Sequence, residues 1–205
     1  MTGNNTRLSN FEQNQNIKTM KKIIITNGLI AGLIVTSLML LSIAGCYKIS
    51  NFEGTTSMVL GYTSMLLAFS LIFVGIKSYR DKHNAGIISF GKALKIGLLI
   101  TLVASTIYVV VWMIDNYFFI PDFYERYSAH LVAKMKSDGA TAAEIQKQII
   151  ENQKMGEMYK NPFFKALFTY MEILPVGIIV SLIAALILKR RPNADNMIAS
   201  GQVSL

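Results

Sequence analysis

The sequence predicts an all-α integral membrane protein with four transmembrane helices and an extracytoplasmic helical hairpin between helices 3 and 4. Hydrophobic residues make up 52% of the 205 residues, and the mean hydropathy is +0.42, which is high for a soluble domain. Charged residues make up only 16% and cluster between apolar runs. These observations together exclude an ordinary soluble domain.

Four apolar runs are long enough to span a bilayer. A helix rises about 1.5 Å per residue, so roughly 20 residues cross a hydrocarbon core of about 30 Å. Continuous apolar runs of this length indicate helices, because barrel strands alternate apolar and polar residues. The predicted spans are about 23–47, 58–76, 94–114 and 166–188.

The positive charge is distributed unevenly between the connecting segments. Residues 1–22, 77–95 and 189–205 together carry twelve Lys and Arg residues against three acids, whereas 115–165 carries seven of each sign. Cytoplasmic segments carry the Lys and Arg excess, so both termini are expected in the cytoplasm of a bacterial inner membrane. Topology and anionic lipid headgroups account for the net charge of +8 without a nucleic-acid partner.

The two ends of the chain lie outside the predicted membrane domain, residues 20–191. Residues 1–19 are rich in Asn, Gln, Thr and Ser without apolar periodicity, which predicts a disordered cytoplasmic lead, and Met20 is an alternative start. Residues 192–205 are expected to form a cytoplasmic tail. The single cysteine, Cys46, ends an apolar run in a pattern similar to a bacterial lipobox, so its lipidation stays an alternative to a full first span.

The outer loop, residues 115–165, is too long for a passive connection. One apolar stripe recurs every four residues, at Phe123, Tyr127, Leu131 and Met135. Thr141 and Glu144 then match a capping box that starts a second helix. The loop therefore predicts a pair of amphipathic helices on or above the outer membrane surface.

The sequence contains no motif that indicates catalysis or metal binding. A nucleotide-binding glycine loop, a nucleophile-elbow serine and a His-Glu-x-x-His helix are all missing from it. His83 and His130 are expected on opposite sides of the membrane, so they cannot share a metal. We therefore expect a non-enzymatic protein without a cofactor.

Glu172 is the only acid inside a predicted span. An ionisable group in the membrane is costly and indicates an ion path or a polar partner. Tyr108 and Ser105 lie on one face of the third helix and are its candidate neighbours. A structural hydrogen bond of Glu172 is the alternative interpretation of this candidate intramembrane polar site.

Three stretches resemble a known family, and they read GYTSMLLAF at 61–69, FVGIKSYRDK at 73–82 and SFGKAL at 89–94. This pattern resembles the bacterial domain of unknown function 4199 family, over roughly residues 20–191. The resemblance implies an inner-membrane protein typical of Bacteroidetes and no catalytic residue. The second stretch also contains a candidate cytoplasmic loop contact, formed by Tyr79, Arg80, Asp81 and Lys82.

Two functional hypotheses follow. In the first, the outer hairpin or the 79–82 loop contacts another membrane component, either a partner protein or a second copy of the chain. In the second, the protein is a small proton- or ion-linked transporter that acts through Glu172.

Overall fold

The computed structural model describes the backbone of residues 2–49 and 54–191 and the side chains of residues 15–45 and 59–191. Six helices follow one another in these ranges. They are α1 (Thr2–Ile49), α2 (Gly54–His83), α3 (Phe90–Phe118), α4 (Phe123–Ser137), α5 (Ala142–Lys160) and α6 (Pro162–Leu188).

Four of these helices are long and apolar enough to cross a membrane. Their candidate spans are Gln15–Gly45, Val59–His83, Phe90–Phe118 and Pro162–Leu188. The all-helical fold with four such helices is confirmed. The spans extend beyond the predicted ones at their polar ends, because charged and polar residues continue a helix into the headgroup region.

The four long helices form a bundle. Both α2 and α3 contact α1 and α6, so the order around the bundle is α1, α2, α6 and α3. Phe69, Ile72, Ile100 and Ile173 are fully buried at its centre. Apolar packing between helices therefore holds the middle of the bundle.

Small residues allow the helices to approach closely, as expected where van der Waals contact drives association in lipid. A Cβ added to Gly28 would lie 2.7 Å from Val103, and one added to Gly32 would lie 2.6 Å from Ile107. These glycines lie four residues apart, one above the other on the helix, and therefore form the contact face of α1 against α3. Gly177 of α6 similarly lies against Thr101 of α3.

The N-terminal segment differs from the sequence-based expectation. Helix α1 begins at Thr2, so residues 2–19 are helical backbone where composition predicts a disordered lead. Extending a helix that already exists adds one hydrogen bond per residue and avoids the cost of nucleation. The tail 192–205 and the side chain of Cys46 lie outside the described residues.

The capping box predicted at the start of α5 is confirmed, and a side-chain N-cap also starts α3. The Ser89 side chain accepts a hydrogen bond from the Lys92 backbone N–H at the start of α3. Thr141 and Glu144 form the complete capping box of α5. These side chains satisfy backbone donors that the first turn of a helix leaves without partners.

Helices α4 and α5 pack against each other in the segment where the sequence predicts the hairpin. The Tyr124 ring stacks on the Tyr159 ring with centroids 5.2 Å apart, and the Tyr124 hydroxyl donates to the Asn152 carbonyl at 3.1 Å. Neither helix contains a fully buried residue. This pair of helices covers one end of the bundle. We call it the α4–α5 end.

Candidate functional site

A cavity of about 480 Å³ lies at the α4–α5 end of the bundle, between the four long helices and the α4–α5 pair. This volume is in the range of small-molecule sites, about 300–1,000 Å³. Eight of its eighteen lining residues are aromatic: Tyr62, Tyr108, Trp112, Phe123, Tyr124, Tyr127, Tyr159 and Phe168. The walls are therefore mostly apolar, with hydroxyl and indole groups as polar positions.

Among the side chains that the structure describes, Glu172 is the only charged residue on the cavity lining. It lies on α6 ten residues after Pro162, about 15 Å along the helix axis. Its side chain is exposed on the surface of the bundle, as is that of Tyr62 on the lining contributed by α2, and both residues lie within candidate membrane spans. No Lys, Arg or His forms an ion pair with Glu172 among the described side chains.

The other two residues of the predicted polar site are both buried, but they lie in different places. Tyr108 lines the cavity together with Glu172. Ser105, one helical turn away, lies in the core outside the lining, and its hydroxyl has no hydrogen-bond partner among the described residues. Glu172 and Tyr108 therefore line one cavity, whereas Ser105 does not line it.

Tyr159 of α5 closes part of the cavity. Its hydroxyl accepts a 2.8 Å hydrogen bond from the indole N–H of Trp112 on α3, and the Trp112 ring meets Phe123 of α4 edge-on with centroids 4.9 Å apart. Burial raises the pKa of Tyr159 to about 12, with a further contribution from the negative charge of Glu172. The hydroxyl is therefore neutral at physiological pH and within electrostatic range of the carboxylate.

The lysine that follows α5 does not line the cavity. Lys165 donates a hydrogen bond to Asn116 Oδ1, and its ammonium lies 5.0 Å from the centroid of the Tyr159 ring. It lies seven residues before Glu172 on α6, about 10 Å along the axis. Lys165 therefore ties α6 to α3 and α5 and leaves the cavity carboxylate to other partners.

The opposite end of the bundle contains Tyr79, Arg80, Asp81 and Lys82. The sequence places these residues in a loop, and that placement is wrong, because α2 continues to His83. Tyr79 is 1% exposed, so its ring cannot form a contact surface. Packing of this ring into the core stabilises the extra helical turns that the charged sequence alone does not predict.

Arg80 joins the ends of α2 and α6. Its guanidinium pairs with Asp81 at 2.6 Å and donates to the Leu188 carbonyl at 3.2 Å. Nearby, the backbones of Ile88 and Arg190 exchange two hydrogen bonds of 3.1 and 2.9 Å. This end is therefore closed by contacts between α2, the α2–α3 connection and the residues after α6.

Metal binding has no support in the described part of the chain. No group of three or more His, Cys, Asp or Glu side chains is close enough there to hold a metal ion. Glu172 is a single carboxylate, and a single carboxylate is too few ligands for a protein metal site.

The sequence-based reasoning missed Tyr62, Trp112, Tyr159 and Phe168 as lining residues. Tyr159 falls on the lining because α5 folds back over α3, a tertiary contact that leaves no local pattern. The density of aromatic residues between 117 and 170 is the one signal in the sequence that indicates an aromatic site near this end.

The four apolar helices and the cavity between them define a multi-pass membrane protein. Residues 26–190 match the family described as "Protein of unknown function (DUF4199)", and the chain belongs to that family. No curated protein and no solved structure matches the chain.

Proposed function

We propose that the protein is a non-enzymatic membrane protein that binds a small molecule beside Glu172, as the binding step of a small proton- or ion-linked transporter. One observation carries the proposal: a membrane-spanning helix contributes a single carboxylate to the lining of an aromatic-walled cavity. Ionisable groups at such positions are costly and mark substrate or ion pathways. Pockets with few polar groups on apolar walls are typical of ligand sites.

The two ends of the bundle differ in a way that supports transport. The cavity lies at the α4–α5 end, whereas Ile72, Ile76 and Ile96 fill the opposite half and are fully buried. Arg80 and the Ile88–Arg190 bridge close that half. A cavity in one half of the bundle and a packed core in the other half fit one of the two states that alternating access requires.

The single tryptophan of the chain provides the test, because Trp112 lines the cavity. We expect saturable quenching of its emission by at least one member of a panel of cationic, neutral and anionic amphiphiles in lipid nanodiscs. Gly61→Leu should abolish the response, since Gly61 lines the cavity and a Cβ there meets nothing within 4 Å. Gly91→Leu is the matched control, in equally open space on an exposed surface.

Equal responses of the two leucine variants would contradict the binding proposal, and so would a panel that leaves Trp112 emission unchanged. The transport step is tested separately in vesicles with a pH indicator. Ligand addition should move protons across wild-type vesicles and not across Glu172→Gln vesicles.

A second candidate function is interaction with another membrane component or with a second copy of the chain through α5. Ile150, Met155 and Met158 leave 44%, 44% and 38% of their surface exposed on this helix. Ile150→Gln with Met155→Gln should release a partner that co-purifies with the wild type, or convert a homo-oligomer to a monomer. Retention of the same assembly in this variant would exclude α5 as the contact.

We propose that the protein lies in a bacterial inner membrane with both termini in the cytoplasm, in contact with lipid and not with nucleic acid. Leu41, Leu67 and Ile187 are more than half exposed on the long helices, which supports lipid contact. In a Cys46→Ser background, an impermeant maleimide applied to spheroplasts should label Lys136→Cys and spare Lys82→Cys. The reverse pattern would overturn this orientation.

A further inference from the structure

The charge of the cavity lining restricts its ligand. Glu172 is an acid, and among the described side chains no Lys, Arg or His shares the lining with it. An anionic ligand would meet like charge in a medium of low dielectric, which is costly. A neutral apolar ligand would remove water from the carboxylate and supply no compensating charge. A cationic ligand would neutralise the charge of Glu172, so a cation is the ligand type that this lining favours.

The aromatic walls favour a cation as well. Aromatic rings attract cations through the negative potential of their faces, and tryptophan does so most strongly. Tyr108, Trp112 and Tyr159 belong to the same lining as Glu172. Glu172 and Tyr159 line the same cavity, so the carboxylate and this aromatic wall face the same space.

The rest of the lining fits an apolar body attached to the cationic group. Val35, Leu38, Met39 and Met65 form an aliphatic wall from α1 and α2. Methionine side chains adapt their shape to irregular ligands. The aliphatic wall therefore accommodates alkyl or aryl groups that a small inorganic cation lacks.

Among the described side chains, no cation of the protein pairs with Glu172. Lys165 is held by Asn116 and by the face of the Tyr159 ring, outside the lining. No other basic residue of α6 lies between Lys165 and Lys189. The carboxylate is thus left for a ligand to neutralise.

We infer that the cavity binds an amphiphilic organic cation, with Glu172 as its counter-ion and the surrounding rings as its cage. This inference rests on the proposed binding function and specifies the chemical class of the ligand. A free ammonium-type compound and the choline headgroup of a phospholipid share this chemistry.

The test compares tetraphenylphosphonium with tetraphenylborate, which has nearly the same shape and the opposite charge. Trp112 emission is titrated with each ion in nanodiscs of the neutral lipid digalactosyldiacylglycerol. We expect saturable quenching by the phosphonium alone. Glu172→Gln should weaken its apparent affinity by about tenfold or more, which corresponds to about 1.4 kcal/mol. Glu157→Gln is the control, since it removes an equal charge from an exposed position outside the cavity.

The same titration in phosphatidylcholine nanodiscs distinguishes the two sources of the cation. The wild type would then bind the phosphonium several-fold more weakly in phosphatidylcholine than in the galactolipid, and Glu172→Gln would show no such difference between the lipids. This result would identify the lipid headgroup as the occupant. An unchanged affinity would favour a free compound.

Equal binding of borate and phosphonium by the wild type would overturn the inference without reliance on any variant. An unchanged phosphonium affinity in Glu172→Gln would also overturn it. If a neutral or anionic amphiphile binds in a Gly61→Leu-sensitive manner and cations do not, the cation inference fails and the binding function stands. If no amphiphile binds, both fail.

Discussion

The indole N–H of Trp112 donates a 2.8 Å hydrogen bond to the hydroxyl of Tyr159, 47 residues later in the chain. This bond joins α3 of the bundle to α5 of the α4–α5 pair at the wall of the cavity. Tyr159 stacks on Tyr124 in the same place, so one residue links the bundle, the pair and the cavity lining. The shape of the site therefore depends on how firmly α5 is held.

Tyr159→Phe should loosen this wall. The variant keeps the ring and removes the oxygen that accepts from Trp112, so we expect a loss of about 1 kcal/mol in the free energy of unfolding. The Trp112 ring should become more accessible to acrylamide, so acrylamide should quench its emission more strongly. Tyr117→Phe is the control, because Tyr117 is 75% exposed. Identical unfolding and quenching in the two variants would show that the bond does not hold α5.

Gly177→Ala should destabilise the contact between α3 and α6. An added Cβ would lie 2.2 Å from the Thr101 methyl group, and this β-branched side chain is buried and cannot rotate away. Overpacking of this kind costs about 1–3 kcal/mol. Thermal unfolding in detergent measures the effect. Gly61→Ala, which meets nothing within 4 Å, should melt at or above the wild-type temperature, and an equal drop in both variants would contradict the packing argument.

Arg80→Gln should weaken the closure of the end opposite the cavity. The guanidinium bond to the Leu188 carbonyl lies beside the Ile88–Arg190 backbone bridge. Loss of one such bond, worth about 0.5–1.5 kcal/mol, predicts roughly two- to tenfold faster hydrogen exchange at these two backbone amides. Lys82→Gln, at an exposed position in the same turn, should leave exchange unchanged. Equal exchange in both variants would show that Arg80 does not maintain the bridge.

The start of α5 should be sensitive to acid. Hydrogen bonds from the Thr141 backbone N–H and hydroxyl lower the pKa of Glu144. A carboxyl whose pKa is lower in the folded state stabilises the helix above its unfolded pKa, and this contribution is lost as the pH falls through the folded pKa. The protection of the first-turn amides of α5, measured as their exchange rate relative to the intrinsic rate at the same pH, should therefore fall in acid. Glu144→Gln keeps a capping side chain that does not titrate, so its exchange should lack this pH-dependent step.

Much of the fold could be predicted from the sequence because it depends on local or compositional signals. The four apolar runs, the Ser89 cap and the Thr141–Glu144 capping box each act within one helix or one turn. The close-packing role of Gly28 also follows from spacing along a single helix. Such features can be predicted without knowing which helices contact one another.

The cavity could be predicted only in part, because it is made by contacts between distant segments. Glu172 is conspicuous as the one acid in an apolar run, and Tyr108 lies on the same helical face as the polar residue Ser105 of α3. Tyr159 reaches the cavity only because α5 folds over α3. The position of Tyr79 was wrong for a similar reason, since burial under neighbouring helices extended α2 beyond its apolar run.

The central claim is that a ligand occupies the cavity beside Glu172, and carbodiimide modification tests it most directly. Dicyclohexylcarbodiimide, a hydrophobic reagent for carboxyl groups, is applied to the protein in nanodiscs, and peptide mass spectrometry reports modification of Glu172 and of the exposed Glu157. We predict modification of Glu172 that tetraphenylphosphonium slows in a saturable manner, with Glu157 unaffected by the phosphonium. Modification of Glu172 at the same rate with and without the phosphonium would contradict the claim.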